Sequence, residues 1–192
     1  MATTEPIRNK QQVKAITGYY LRRGQIRNHA LIVMGIHTAL RISDMLRLTW
    51  EDVYDFANNC PRREIFIVEK KTGKSKIIAV NQSVIGAITQ LFNQINPAPN
   101  NFLFAHPSQN KAISRIQAYR ILRAAAEKAC VDVVVSCHSL RKTFGYHLLK
   151  KGISLAIIMD IYNHSSYAIT RRYLGVTQDD KNSAYLELKY GT

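Results

Sequence analysis

Cysteine is scarce and odd in number. Cys60, Cys130 and Cys137 lie far apart in the chain, which excludes a disulfide framework and a Cys-x-x-Cys zinc site and points to a reducing, cytoplasmic setting. Acidic residues are scarce as well, 13 against 27 lysines and arginines, for a formal net charge of +14. They form no carboxylate cluster with which to hold a divalent metal, so no metal and no cofactor is expected. The excess positive charge instead calls for a polyanionic partner such as nucleic acid. Phosphate attraction supplies affinity without choosing a base sequence, so charge alone does not distinguish DNA from RNA. Long apolar runs are missing too: none approaches the ~18 residues of a membrane span. The N-terminus lacks the apolar stretch of a secretory signal. No repeat or low-complexity segment interrupts the 192 residues, a length that suits one domain able to bury about 70% of its unfolded surface.

Residues 1–8 carry no periodicity. From there Asn9 with Gln12 resembles a capping box, and Val13, Ile16, Tyr20 and Leu21 predict a short amphipathic helix that stops at Gly24. The segment Ala30 to Leu40 is apolar nearly all round, the mark of a buried helix that delivers Arg41 to its end. Residues 63–69 alternate, Thr72-Gly73 supply a turn, and Lys76 to Val80 read as a second strand, so a β-hairpin with Lys71 at its tip is expected. Helices follow over Gln82 to Ile95 and, after a loop holding Pro97 and Pro99, from a Ser114/Gln117 capping box to about Ala129. In the latter, Tyr119, Leu122, Ala125, Ala126 and Ala129 are placed inward, and Arg120, Arg123 and Lys128 outward. That basic face suits either plain solvation or the DNA major groove. Val131 to Val135 reads as a short buried strand or an extended connector. Leu140, Phe144 and Leu148 continue helical spacing to a stop at Gly152, Ser154 caps a helix to about Ile161, and a last helix is expected over Gln178 to Tyr190. The fold class is α+β, mainly helical, with a small antiparallel hairpin.

The chemistry gathers near the C-terminus. His138 and Arg141, three apart, fall one turn apart on the same side of a helix start. His164 is followed nine residues later by Tyr173 in a basic, helix-like segment. Upstream stand Thr38-Ala39-Leu40-Arg41-Ile42-Ser43-Asp44 and Lys71-Thr72-Gly73-Lys74. Taken singly, Arg41 reads as the partner of Asp44 in a salt bridge that holds a helix junction, and Lys71 as solvated charge. Together and in this order the five pieces resemble the tyrosine recombinase (phage integrase) family, in its catalytic domain from near the start of the chain to Tyr173.

The resemblance implies roles. Tyr173 attacks a scissile DNA phosphate, Arg41 and Arg141 stabilise the transition state, and Lys71 protonates the leaving 5′ oxygen, with Lys74 the fallback. His138 assists proton transfer at the tyrosine, His164 donates a hydrogen bond to the phosphate, and Asp44 supports the site from behind. Tyr167, Tyr185 and Tyr190 are the alternative nucleophiles. Asn163 departs from the glycine usual before the second histidine, but asparagine tolerates the left-handed backbone the turn needs. His106 and His147 fit no part of the pattern and read as ordinary core or surface residues. With no room before residue 9 for a DNA-clamping domain, residues 1–192 are expected to be a single catalytic domain like the small invertases. Its tail, residues 177–192, is expected to be exchanged between protomers of a homotetramer on paired sites of double-stranded DNA, with weak association when free. Arg120, Arg123, Lys128 and Lys74 are the candidate DNA contacts. The competing readings are a type IB topoisomerase, a non-catalytic DNA-binding regulator, and a plain basic helical domain.

Overall fold

The computed structural model describes residues 4–176, residue 182 and residues 185–187. Helix α1 (Lys10–Leu21) opens where Asn9 accepts the backbone N–H groups of Gln11 and Gln12. Helix α2 (Ile26–His37) is buried from His29 to Ile36, as an all-round apolar helix must be. Two single turns, α3 (Ile42–Met45) and α4 (Trp50–Val53), lead to the short pair β1 (Tyr54–Asp55) and β2 (Cys60–Pro61). The main hairpin is β3 (Glu64–Val68) with β4 (Ser75–Ala79), in register from Glu64↔Ala79 to Val68↔Ser75. Its alternation turns Ile65 and Ile67 inward and leaves Phe66 and Val68 in water. Helix α5 (Gln82–Ile95), the pair β5 (Ala105–His106) and β6 (Gln109–Ala112), and helices α6 (Arg115–Lys128), α7 (Cys137–Lys150), α8 (Leu155–Tyr162) and α9 (Tyr167–Leu174) complete the described chain.

Helix α2 is the axis, packed against α1, α5 and α7. On one side lies a core built with the hairpin, α5 and Trp50. On another Ile32 and Ile36 meet α1 and α6. A third core joins Ala39 to Ile158, Tyr162 and Leu174. The α2–α7 approach depends on Gly35, where a Cβ would stand 2.5 Å from Leu140 Cδ1.

Of the two readings for residues 131–135 the extended connector is the one observed, tied by the Glu5 N–H to the Val134 carbonyl at 3.2 Å. Other expectations change. Tyr119 and Leu21, expected inward, are 37% and 39% exposed. Helix α6 buries Ala118, Leu122, Ala125 and Ala126 instead, and Tyr119, one residue beyond Ala118, is rotated to the rim. The last-helix expectation for residues 178–190 falls almost wholly outside the described residues. Among the described residues no helix is long and apolar enough to cross a membrane.

Candidate active site

Arg41 sits at the junction of α2 and α3, in extended conformation just after Ala39, whose φ of +55° is the left-handed region. The Arg41–Asp44 pair expected from local spacing does not form. Arg41 Nη1 lies 2.7 Å from Glu69 Oε2, and Lys76 Nζ lies 3.3 Å from Glu69 Oε1. Thr72 Oγ1 donates to the same carboxylate at 2.8 Å. Burial alone raises the Glu69 carboxyl, but the contacts with Arg41, Thr72 and Lys76 overcome it and hold the pKa down at about 2. Asp44, buried, accepts the Lys70 N–H at 3.0 Å and so braces the strand end that leads to Lys71. Lys71 itself is exposed, and its charge reaches His164.

Arg141, one turn into α7, is 2% exposed. Its Nη1 donates to the Ala39 carbonyl and its Nη2 to the Tyr162 carbonyl at 3.0 Å, while its guanidinium stacks 4.5 Å from the Tyr162 ring centre. The left-handed Ala39 thus aims a carbonyl at the second arginine and leads directly to the first. Tyr173, on α9, packs edge-on against His164 at 5.2 Å and Tyr162 at 5.3 Å, and Lys142 Nζ lies 5.2 Å from its ring centre. Burial raises the Tyr173 pKa, against which the charge of Arg141 and Arg41 and a hydrogen bond with the Arg141 side chain pull it down. Tyr167 and Tyr185, the described alternatives, are 54% and 81% exposed.

Asn163 ends α8 in the left-handed region, φ +52°, and turns the chain so that His164 faces the site. The Nδ1 of His164 lies 3.1 Å from Thr170 Oγ1. Burial, then the charges of Arg141 and Arg41, lower its pKa to about 4. His138 stands on the rim, its pKa lowered first by burial and then by Arg115, Arg141, Lys142 and Arg41. The imidazole in contact with Tyr173 is that of His164. His147 Nε2 meets the Ile7 carbonyl at 3.0 Å and His106 lies on the surface beside Ser108, both ordinary structural roles.

Reading the sequence missed Glu69, Lys76, Lys142 and Arg115. A signal was present for the first two: Glu69 continues the inward set Ile65 and Ile67, and Lys76 opposes Ile67 in the register. A charge at an inward strand position requires a buried partner. Of the proposed DNA contacts, Arg120, Lys128 and Lys74 are exposed, whereas Arg123 is paired with Glu127 at 2.8 Å and its charge is locally balanced. Nearer the site, Arg115, Ile116 and Tyr119 share a cleft of about 470 Å³ with His138. Among the described residues no group of His, Cys, Asp or Glu is arranged to hold a metal ion.

Two guanidiniums, two imidazoles with lowered pKa and a half-buried tyrosine, with the Glu69 carboxylate among them matched by cations, form an arrangement able to act on a phosphodiester. The phage integrase family model matches residues 8–180, and the chain belongs to this family. It is 37% identical over 185 residues to the probable integrase/recombinase YoeC of Bacillus subtilis, covering 96% of this chain and 97% of that protein. It is 27% identical over 158 residues to the tyrosine recombinase XerD of Corynebacterium glutamicum, covering 80% of this chain and 50% of that one. It therefore spans about half the length of that larger relative. The crystal structure of XerA recombinase superposes with a TM-score of 0.78 at 19% identity, over 99% of this chain and 66% of that one. XerH recombinase in a post-cleavage complex with its palindromic difH substrate gives 0.77 at 18% identity, over 96% and 53%. The fold is that of the tyrosine recombinases, α+β and mainly helical.

Proposed function

We propose that this protein is a site-specific DNA recombinase that cuts and rejoins strands through a covalent 3′-phosphotyrosyl intermediate. The observation that carries the reading is that Arg141, buried and held by the Ala39 and Tyr162 carbonyls, lies close enough to Arg41 and Tyr173 for both to shift its pKa and for the two arginines to shift that of Tyr173. A phosphate seated against the two guanidiniums is in reach of the Tyr173 hydroxyl. Tyr173 Oη attacks phosphorus, the bond to the 5′ oxygen breaks, and the phenolic proton passes to an imidazole while Lys71 supplies a proton to the departing oxygen. The raised pKa of Tyr173 means that a base is needed, and His138 and His164, both with lowered pKa, are neutral and able to serve. Arg41 and Arg141 spread the developing charge over planar forks of donors. The phosphotyrosyl bond conserves the energy of the cut, so another DNA hydroxyl can reverse it without ATP, and integration, excision or inversion follows from such exchanges.

Double-stranded DNA is the proposed partner, lying over the hairpin loop with Lys71 and Lys74 and over the exposed side of α6 with Arg115, Arg120 and Lys128. Residues 1–192 act as one catalytic domain in the cytoplasm, assembling as a homotetramer on paired sites, with no cofactor. Incubation with a nicked DNA substrate in the presence of EDTA, followed by a denaturing gel, tests this directly. A covalent adduct is expected for the wild type. Tyr173→Phe should abolish it while DNA binding is retained, because only the nucleophilic oxygen is removed. An undiminished adduct from the variant would refute the assignment, strict metal dependence would mean another nuclease chemistry, and relaxation of supercoils without strand exchange would make the protein a topoisomerase.

A further inference from the structure

The carboxylate of Glu69 has no part in the chemistry above, yet it touches three pieces of the site. It is 1% exposed, lies 2.7 Å from Arg41 Nη1 and 3.3 Å from Lys76 Nζ, and accepts from Thr72 Oγ1 at 2.8 Å. Its backbone closes the loop that carries Lys71: the Glu69 N–H donates to the Lys74 carbonyl at 2.9 Å, and the Glu69 carbonyl accepts the Gly73 N–H at 2.9 Å. One residue therefore ties the α2–α3 junction to the hairpin loop.

We propose that Glu69 is a positioning residue that fixes Arg41, and with it the spacing between Arg41 and the Lys71 loop, before DNA arrives. The inference rests on the recombinase reading of this site. A free arginine side chain loses much rotamer freedom when it docks on a phosphate, and holding it beforehand removes that cost from the reaction step. Arg41 Nη1 is itself buried against the carboxylate at 2.7 Å, while 15% of the arginine side chain stays exposed, so the ion pair anchors one end of the guanidinium and leaves the rest to face a phosphate. A carboxylate so near an incoming phosphate repels it. A site built only to bind anions gains nothing from one, so Glu69 serves geometry rather than affinity.

This separates binding from rate. Single-turnover cleavage of a nicked substrate gives a rate constant and an adduct amplitude, and a titration gives DNA affinity. Glu69→Gln should cleave about tenfold or more slowly, while its amplitude stays near wild type and its affinity is equal or tighter. Glu69→Asp keeps the charge but withdraws it by one methylene, so it too should be slow. Neither change should slow Arg41→Ala further, because the effect passes through Arg41. The proposal is overturned by a wild-type rate in Glu69→Asp, by a Gln deficit confined to amplitude or affinity, or by slowing that multiplies onto Arg41→Ala. If Glu69→Gln does not fold, Glu69→Asp decides. A wild type that forms no adduct at all would instead refute the recombinase reading, and this inference with it.

Discussion

Arg141 directs two donors at the carbonyls of Ala39 and Tyr162 while its side chain also meets Tyr173, an arrangement that requires a planar guanidinium. An ammonium at either arginine position is a point charge that cannot hold the backbone and a phosphate together. Arg41→Lys and Arg141→Lys should therefore each slow cleavage by about 10²-fold or more despite preserving charge, and near-normal single-turnover rates would show the arginines to be structural. His164 offers a test without DNA. Its pKa is lowered from 6.5 to about 4, so the ring is neutral at pH 7, and a histidine NMR titration should find its transition near that lower value. The sign for stability follows from proton binding. As pH falls from about 6.5 toward 4, the unfolded chain takes up a proton that the native site refuses, so native stability declines. Glu69 adds a second acid-side loss: its stabilisation is present above the ordinary carboxyl value of 4.5 and disappears as pH falls toward about 2. Urea midpoints should fall between pH 7 and 4.5 in the wild type and fall less in His164→Gln; equal slopes would show that His164 titrates normally.

Helices α7, α8 and α9 meet at Gly145, one turn beyond Arg141. A Cβ there would collide with the Tyr162 hydroxyl and stand 2.5 Å from Leu174 Cδ2. Tyr162 supplies the carbonyl that holds Arg141, and Leu174 follows Tyr173, so overpacking at this point disturbs the nucleophile and its arginine together. Gly145→Ala should cost about 1–3 kcal/mol of stability and reduce adduct formation in the folded fraction. A variant that melts like the wild type and cleaves at full rate would mean that the junction yields freely. The elements themselves were legible where local rules act alone. The Asn9, Ser114 and Ser154 caps, the alternation through Ile65 and Ile67, and the left-handed asparagine before His164 are decided within a few residues. The candidate catalytic set could be picked out only because five spaced motifs resemble a family. The partner of Arg41 was not legible, since nothing local prefers Glu69 on a distant strand to Asp44 three residues away. Nor was the rotation of α6, which depends on packing against α1 and α7. The pairs β1–β2 and β5–β6 and the single turns α3 and α4 are too short to leave a periodic trace.

At the scale of the whole molecule, a charge of +14 draws the protein to any duplex, and that attraction weakens steeply with salt. The proposed assembly on two sites requires contacts of another kind. Most of the tail from Thr177 onward lies outside the described residues, but Tyr185 and Leu186 are described and are 81% and 76% exposed. Large apolar side chains left in water lose roughly 25 cal/mol for each Å² not buried, and with Ala184, Leu188 and Tyr190 they form a modest apolar set at the end of the chain. On paired DNA sites, neighbouring protomers are held at high effective concentration, so even a weak contact made by this set is multiplied there, while at a single site it contributes little. Deletion from Thr177 onward should therefore leave single-site binding nearly unchanged and reduce both paired-site complexes in a gel shift and the yield of recombinants. A shortened protein that folds, binds and recombines at full rate would show that the tail packs on its own protomer or is dispensable, and that paired-site assembly depends on other surfaces.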